Sequence, residues 1–77
     1  MIPLYCFLRG DTIGLLMLAD PHETVASLAE KLQASAAVRV PRRPVVSVIH
    51  KDRVVDPRIT VAQAGLTALD RVDVVPA

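Results

Sequence analysis

The sequence predicts an α+β domain in which one helix packs across one face of a mixed sheet of four to five strands. The chain of 77 residues has room for one domain, so we assign residues 1–77 to a single unit. Short apolar runs rich in strand-forming residues lie near both ends, and one segment with helical periodicity lies between them. Strands on both sides of a single helix are typical of a helix packed on a sheet.

The first two predicted strands form a hairpin. Ile2 to Arg9 and Thr12 to Ala19 are apolar runs, and Gly10 and Asp11 between them are ordinary turn residues. The Arg-Gly-Asp tripeptide at this point is also an integrin-binding string, but the first residues lack the basic region of a secretion signal. We therefore interpret the tripeptide as a turn and expect a cytoplasmic protein.

The helix is predicted from Thr24 to Ser35. Apolar side chains recur there at i, i+3, i+4 and i+7, which gives one buried face: Val25, Leu28, Ala29 and Leu32. Two starts fit the sequence. Asp20 with Glu23 resembles a capping box, and Thr24 is itself a good N-cap residue.

The second half of the chain supplies the remaining strands. We predict an extended loop at 36–44, a strand from Val45 to His50, a short strand at Val54 and Val55, a helical turn or structured loop from Ile59 to Leu66, and a last strand from Arg71 to Pro76. This order is that of the β-grasp fold. The first and last strands are then parallel neighbours at the centre of the sheet.

Residues suited to catalysis or metal binding are sparse. Cys6 lies among apolar neighbours and is expected to be buried and inert, whereas His22 and His50 fall at element ends, where side chains are ordinarily solvated. These three side chains cannot complete a tetrahedral zinc site. We therefore predict no catalytic residue, no metal and no cofactor in this chain.

The composition also restricts the partners. The net charge is +1, and Tyr5 and Phe7 are the only aromatic residues, so nucleic acid is not an expected partner. No apolar run approaches the roughly 20 residues of a membrane span, so membrane insertion is not expected. A core of this size supplies only about 3 to 5 kcal/mol, and the single cysteine excludes an internal disulfide. We therefore expect a protein partner.

The hairpin points to the surface that meets this partner. Both of its faces are apolar, yet one helix covers only one face of a sheet. The candidate interface residues on the two strands are Leu4, Leu8, Leu16 and Leu18, and the sequence leaves open which face is covered. The alternative is that the loop at 36–44 folds over the bare face.

Three arginines in this loop are further candidates. Arg39, Arg42 and Arg43 fit a solvated surface loop, and they equally fit an anchor for acidic groups of a partner, because a guanidinium binds a carboxylate through two hydrogen bonds.

The predicted elements resemble ubiquitin in order and spacing. The chain ends Val75-Pro76-Ala77 rather than with two glycines, so we expect it not to be a conjugated modifier. Three further stretches carry a closer resemblance: Ala29-Glu30-Lys31, Pro57 to Ala62 with Gly65-Leu66, and Asp73-Val74-Val75. In these stretches the chain resembles the ubiquitin-like gamma subunit, or B protein, of toluene-4-monooxygenase and toluene/o-xylene monooxygenase systems.

This resemblance implies a non-catalytic subunit that docks on the large hydroxylase subunit, which holds the diiron centre. A rival resemblance rests on Pro41-Arg42, on Val48 to Val54, on Ala64-Gly65-Leu66 and on Asp70-Arg71-Val72. These stretches are similar to the small ubiquitin-like protein of type VII secretion systems, which implies an accessory role in secretion.

Overall fold

The computed structural model describes residues 1–77 and contains one helix and one five-stranded sheet. The elements in chain order are β1 (Ile2–Leu8), β2 (Leu15–Ala19), α1 (Val25–Ser35), β3 (Val46–His50), β4 (Arg53–Val55) and β5 (Arg71–Pro76). The strand order across the sheet is β2-β1-β5-β3-β4. Strands β1 and β5 are parallel and all other neighbours are antiparallel, which confirms the predicted mixed sheet and the β-grasp arrangement.

The hairpin loop is longer than predicted, because β2 begins at Leu15 and not at Thr12. The carboxylate of Asp11 accepts hydrogen bonds from the backbone N–H groups of Thr12 and Ile13, at 2.8 and 3.4 Å. These bonds bend the backbone just after Gly10, which has a φ of +98°. A side chain that binds its own backbone competes with strand pairing, so residues 12–14 do not join the sheet.

Both predicted start signals of the helix are used, at different points. Thr24 is the N-cap, and its Oγ1 accepts a hydrogen bond from the N–H of Ser27 at 3.1 Å. One turn earlier, Glu23 Oε1 accepts from the N–H of Asp20 at 2.8 Å, which orders the segment leading into the helix. The observed helix, Val25–Ser35, confirms the prediction.

The core lies between α1 and one face of the sheet. The inner-facing residues of the central strands, which include Leu4, Cys6, Val72 and Val74, are almost fully buried. The predicted helical face of Val25, Leu28, Ala29 and Leu32 is buried against them. Burial raises the pKa of the Cys6 thiol to about 11, so the thiol is protonated at neutral pH, as expected for a buried and inert cysteine.

The connections after β3 are tight turns. Lys51 and Asp52 have φ values of +51° and +63°, the pattern of a two-residue hairpin turn between β3 and β4. The segment from Ile59 to Leu66 is a series of turns and not a regular helix, with Val61 and Leu66 anchored in the core. Gly65 has a φ of +76°, so it occupies the predicted left-handed position.

Candidate docking surface

The sheet face opposite α1 has no second layer over it. Because side chains alternate along each strand, the residues between the core positions all point to this outer face. In register across the sheet, the outer face contains Pro3, Tyr5, Phe7, Leu16, Leu18, Ser47, Ile49, Val54, Arg71, Asp73 and Val75. Its two halves differ in chemistry.

The half on the hairpin is apolar and open. Leu16 lies opposite Tyr5 and Leu18 opposite Pro3, and we call these four residues the hairpin patch. The exposed fractions of Leu16, Leu18 and Tyr5 are 57%, 56% and 46%. Adjacent large apolar side chains with this exposure, and no charged residue among them, are typical of a surface that meets another protein.

On the other half of the outer face, the charged and aromatic side chains of Arg71, Asp73 and Phe7 contact one another. The guanidinium of Arg71 lies 4.2 Å from the centroid of the Phe7 ring, a cation–π contact, and also forms hydrogen bonds with the carboxylate of Asp73. On its other side the Phe7 ring lies so close to Gly14 that any Cβ at that position would clash with it. Phe7 is therefore held by its neighbours and is not part of the hairpin patch.

Of the four leucines predicted at the interface, two lie on the wrong face. Leu4 and Leu8 are 0% and 6% exposed and belong to the core, so their assignment to a partner interface is wrong. The helix packs on their side of the hairpin. Because the helix packs on that side, Leu16 and Leu18 are left exposed on the outer face, with Tyr5 and Pro3 beside them. Sequence reasoning missed these two neighbours, although the alternation along β1 places them on the face opposite Leu4.

The loop at 36–44 does not cover the outer face, so the alternative prediction for it is wrong. Ala36 and Val40 are buried in the core, at 0% and 6% exposure. The amide side chain of buried Gln33 donates to the Arg43 carbonyl at 3.2 Å and accepts from the Arg43 N–H at 2.8 Å. These bonds hold the loop against the helix and leave the hairpin patch bare.

Two of the three loop arginines are occupied within the chain. Arg39 binds both carboxylate oxygens of Asp11, with Nε–Oδ1 and Nη2–Oδ2 distances of 2.9 and 3.0 Å, and this pairing lowers the pKa of Asp11. Arg42 pairs with Glu30 on the helix surface. Arg43 is exposed, and its side chain takes part in none of the ion pairs of the chain.

The two histidines lie in different surroundings. His22 is exposed, whereas His50 Nε2 lies 3.2 Å from Asp70 Oδ2 in a pair that joins the β3–β4 turn to the start of β5. The predicted solvation of His50 is therefore wrong, since its side chain is 10% exposed. No group of three or more His, Cys, Asp and Glu side chains is placed to hold a metal ion. The single helix is too short to cross a membrane.

The topology defines the chain as a β-grasp domain of the ubiquitin-like class, and comparison with solved structures supports this. Ubiquitin of Caldiarchaeum subterraneum matches with a TM-score of 0.80 at 17% identity, over 99% of this chain and 92% of that chain. A de novo designed protein based on ubiquitin matches with a TM-score of 0.76 at 22% identity, over 95% and 84% of the two chains.

The family is shown by a more specific match. The model of the family "Toluene-4-monooxygenase system protein B (TmoB)" matches residues 1–75, so the chain belongs to that family. A chain of the toluene 4-monooxygenase HD complex with the inhibitor 4-bromobenzoate has a similar fold, with a TM-score of 0.88 at 24% identity over 99% of this chain and 98% of that chain. No curated protein sequence gives a significant match.

Family membership confirms the closer of the two resemblances drawn from the sequence. The protein is a small subunit of a multicomponent monooxygenase system. The rival resemblance to a secretion accessory protein is not favoured, since the matching family covers nearly the whole chain, including the helix.

Proposed function

We propose that this protein is a non-catalytic subunit that docks on the large hydroxylase subunit of a diiron monooxygenase and stabilises it. The observation that carries this proposal is the hairpin patch, where Leu16, Leu18 and Tyr5 are each about half exposed on an uncovered sheet face. A subunit of an obligate complex can have such an exposed apolar surface, because the partner covers it.

The energetics favour this half of the face over the other. Complete burial of a leucine contributes about 1.5 to 3 kcal/mol, so covering the exposed half of Leu16 or Leu18 contributes about 1 kcal/mol each. Around Arg71 and Asp73 a partner would first have to desolvate an ion pair, which offsets much of the gain. The hairpin patch is therefore the centre of the proposed interface.

The chemistry belongs to the partner in this proposal. The thiol of Cys6 is buried and protonated, and His50 is engaged with Asp70, so neither offers a free nucleophile or base. The diiron centre is assigned to the large subunit, together with the substrate pocket. The inhibitor named with the similar complex is an aromatic acid, which supports aromatic hydrocarbons as the substrate class.

The remaining properties follow from that role. We propose a cytoplasmic location, with no nucleic-acid partner, no insertion into a membrane and no conjugation to other proteins. Arg43, whose side chain is exposed and outside the ion pairs, remains a candidate contact to an acidic group of the hydroxylase. Arg39 and Arg42 are proposed to shape the loop instead, because each already binds a carboxylate.

The test is co-purification of the tagged chain with the hydroxylase subunits encoded beside it, with an iron assay on the complex. Recovery of an iron-containing large subunit is the expected result. Leu16→Asp and Leu18→Asp are expected to reduce recovery at least about tenfold, since each places a charge in a covered apolar surface. Val38→Asp is the control, because Val38 is 89% exposed in the loop at 36–44, away from the patch. A wild-type chain that recovers no hydroxylase subunit would refute the proposal.

A further inference from the structure

Strand β2 forms one edge of the sheet, with β1 on one side and no strand on the other. Exposed edges are usually protected by charged residues, proline, bulges or a covering element. The β2 sequence Leu-Leu-Met-Leu-Ala contains no charge, no proline and no glycine. The strand itself therefore contains none of the residues that usually block pairing with a further strand.

The hydrogen-bonding groups at this edge belong to Leu16 and Leu18. Their partners on β1 turn their backbone groups toward β5: Tyr5 N–H donates to the Asp70 carbonyl at 2.9 Å, and the Pro3 carbonyl accepts from Leu69 N–H at 2.6 Å. Two facing residues therefore form a non-hydrogen-bonded pair of the antiparallel ladder, in which both residues point their backbone groups away from each other. The N–H and C=O groups of Leu16 and Leu18 therefore point outward from the sheet.

A contact between Lys31 and the Leu18 carbonyl shows that this carbonyl points away from the sheet. The same contact indicates which chemical group a bound chain would present there. Lys31 Nζ, from α1, donates to the Leu18 carbonyl at 3.0 Å and pairs with Glu23 Oε1 at 2.7 Å. The ammonium thus lies on the helix side of the edge, where a hydrogen-bond acceptor of an incoming chain would meet it. On the opposite side the same edge carries the exposed side chains of Leu16 and Leu18.

We propose that an extended segment of the large hydroxylase subunit adds to the β2 edge as a sixth strand, hydrogen-bonded to the backbone of Leu16 and Leu18. This inference rests on the proposed function and specifies how the partner is held. The added strand carries apolar side chains over the hairpin patch and a hydrogen-bond acceptor toward the remaining N–H of the Lys31 ammonium, whose charge is already paired with Glu23. Main-chain bonds then supply affinity, and the alternating side chains supply specificity.

A second copy of this chain is a poorer occupant of the same edge. Pairing of two β2 strands across a two-fold axis would set Leu16 of one copy against Leu18 of the other. It would also bring the Lys31–Glu23 ion pairs of both copies to one edge, where covering them costs desolvation of four charged groups. A strand from a different partner brings no second ion pair to this edge.

Hydrogen exchange of the backbone amides tests the inference directly. We expect the amides of Leu16 and Leu18 to exchange rapidly in the free chain and at least about tenfold more slowly in the purified complex with the hydroxylase. The amide of Met17 is the internal control. Met17 and Leu4 form one of the hydrogen-bonded pairs of the β1–β2 ladder, so the amide of Met17 is protected in both states.

A proline variant tests the same bonds by binding. Leu16→Pro removes an outward N–H that the fold does not use, since proline is tolerated on the open side of an edge strand. Leu16→Val is the matched control, because it has a similar size and keeps the N–H. We expect the proline variant to bind the hydroxylase at least about tenfold more weakly than the valine variant. Circular dichroism checks that both fold, and the exchange measurement decides the question if the proline variant does not.

The outcomes separate this inference from the proposed function. A complex that forms while the Leu16 and Leu18 amides keep their free exchange rates would overturn strand addition and leave docking through the side chains. Protection that grows with concentration in the free chain would identify a second copy as the occupant. Failure of the wild-type chain to form any complex would instead refute the proposed function.

Discussion

The two faces of the β1–β2 hairpin are alike in composition and opposite in environment. On the inner face Leu4 and Cys6 are 0% and 1% exposed, whereas on the outer face Leu16 and Leu18 are 57% and 56% exposed. The difference is the helix, which covers only the inner face. An apolar side chain on this hairpin therefore stabilises the fold or remains available to a partner according to which face it occupies.

A second contrast lies within the outer face itself. Phe7 is fixed between Gly14 and the Arg71 guanidinium, and Arg71 is neutralised by Asp73. Tyr5 and Leu16, one step along the hairpin, take part in no cation–π contact or ion pair and remain about half exposed. Around Phe7 and Arg71 the side chains of the sheet therefore occupy one another, whereas those of the hairpin patch remain open to a partner.

The largest expected effect is on the inner face. Leu4→Ala and Leu28→Ala are each expected to lower the free energy of unfolding by about 2 to 5 kcal/mol, because each leaves a cavity between the helix and the sheet. Urea denaturation followed by circular dichroism measures this loss. A change of less than about 1 kcal/mol in both variants would contradict the packing of α1 on this face.

A smaller effect is expected where the two halves of the outer face meet. Gly14→Ala is expected to cost about 1 to 3 kcal/mol, since the added methyl group collides with the Phe7 ring. The nearby exposed substitution Thr12→Ala serves as a control and is expected to change stability by less than about 0.5 kcal/mol. Adding Phe7→Ala to Gly14→Ala should remove the clash, so the two losses should fail to add in a double-mutant cycle.

A still smaller effect concerns pH. A hydrogen bond from the Thr67 N–H, supported by those from Thr67 Oγ1 and His50, holds the pKa of Asp70 below its usual value. The ionised group is therefore favoured in the folded state. Its contribution is present above the ordinary carboxyl pKa and is lost as the pH falls through the lowered one.

The variant Asp70→Asn tests this contribution. It is expected to be less stable than the wild type at pH 6, and the difference should shrink as the pH falls from about 4 toward 2. Denaturation curves at several pH values measure it. Asp11 and Glu23 also have lowered pKa values, so the wild type itself loses stability in acid, and only the difference between the two proteins reports on Asp70.

Much of the fold follows from local patterns in the sequence. The helical stripe with Thr24 at its start, the short strand β4 and the valine-rich β5 are each specified by residues within a few positions of one another. The start of β2 is not, because the bend at 12–14 is stabilised by the Asp11 carboxylate, which Arg39 binds from 28 positions further along the chain. A contact of that separation leaves no periodic signal.

The candidate surface shows the same limit. Alternation in β1 and β2 reveals two apolar faces, but identical periodicity on both sides cannot say which one the helix chooses. This is why the sequence alone places Leu4 and Leu8 in one group with Leu16 and Leu18. The two bonds from Gln33 to the Arg43 backbone, which hold the loop at 36–44 off the outer face, likewise join distant positions that no local motif relates.

The smallest expected effect on stability is on the outer face, and it completes the comparison. Leu18→Ala is expected to change the free energy of unfolding by less than about 1 kcal/mol, because the side chain is already more than half exposed and its loss leaves no closed cavity. The same substitution is expected to weaken binding to the hydroxylase, measured by titration of the purified subunits. Leu4→Ala should show the reverse balance, with a large loss of stability. If Leu18→Ala destabilised the free chain as much as Leu4→Ala does, the outer face would be part of a core, and the division of the hairpin into a folding face and a docking face would be wrong.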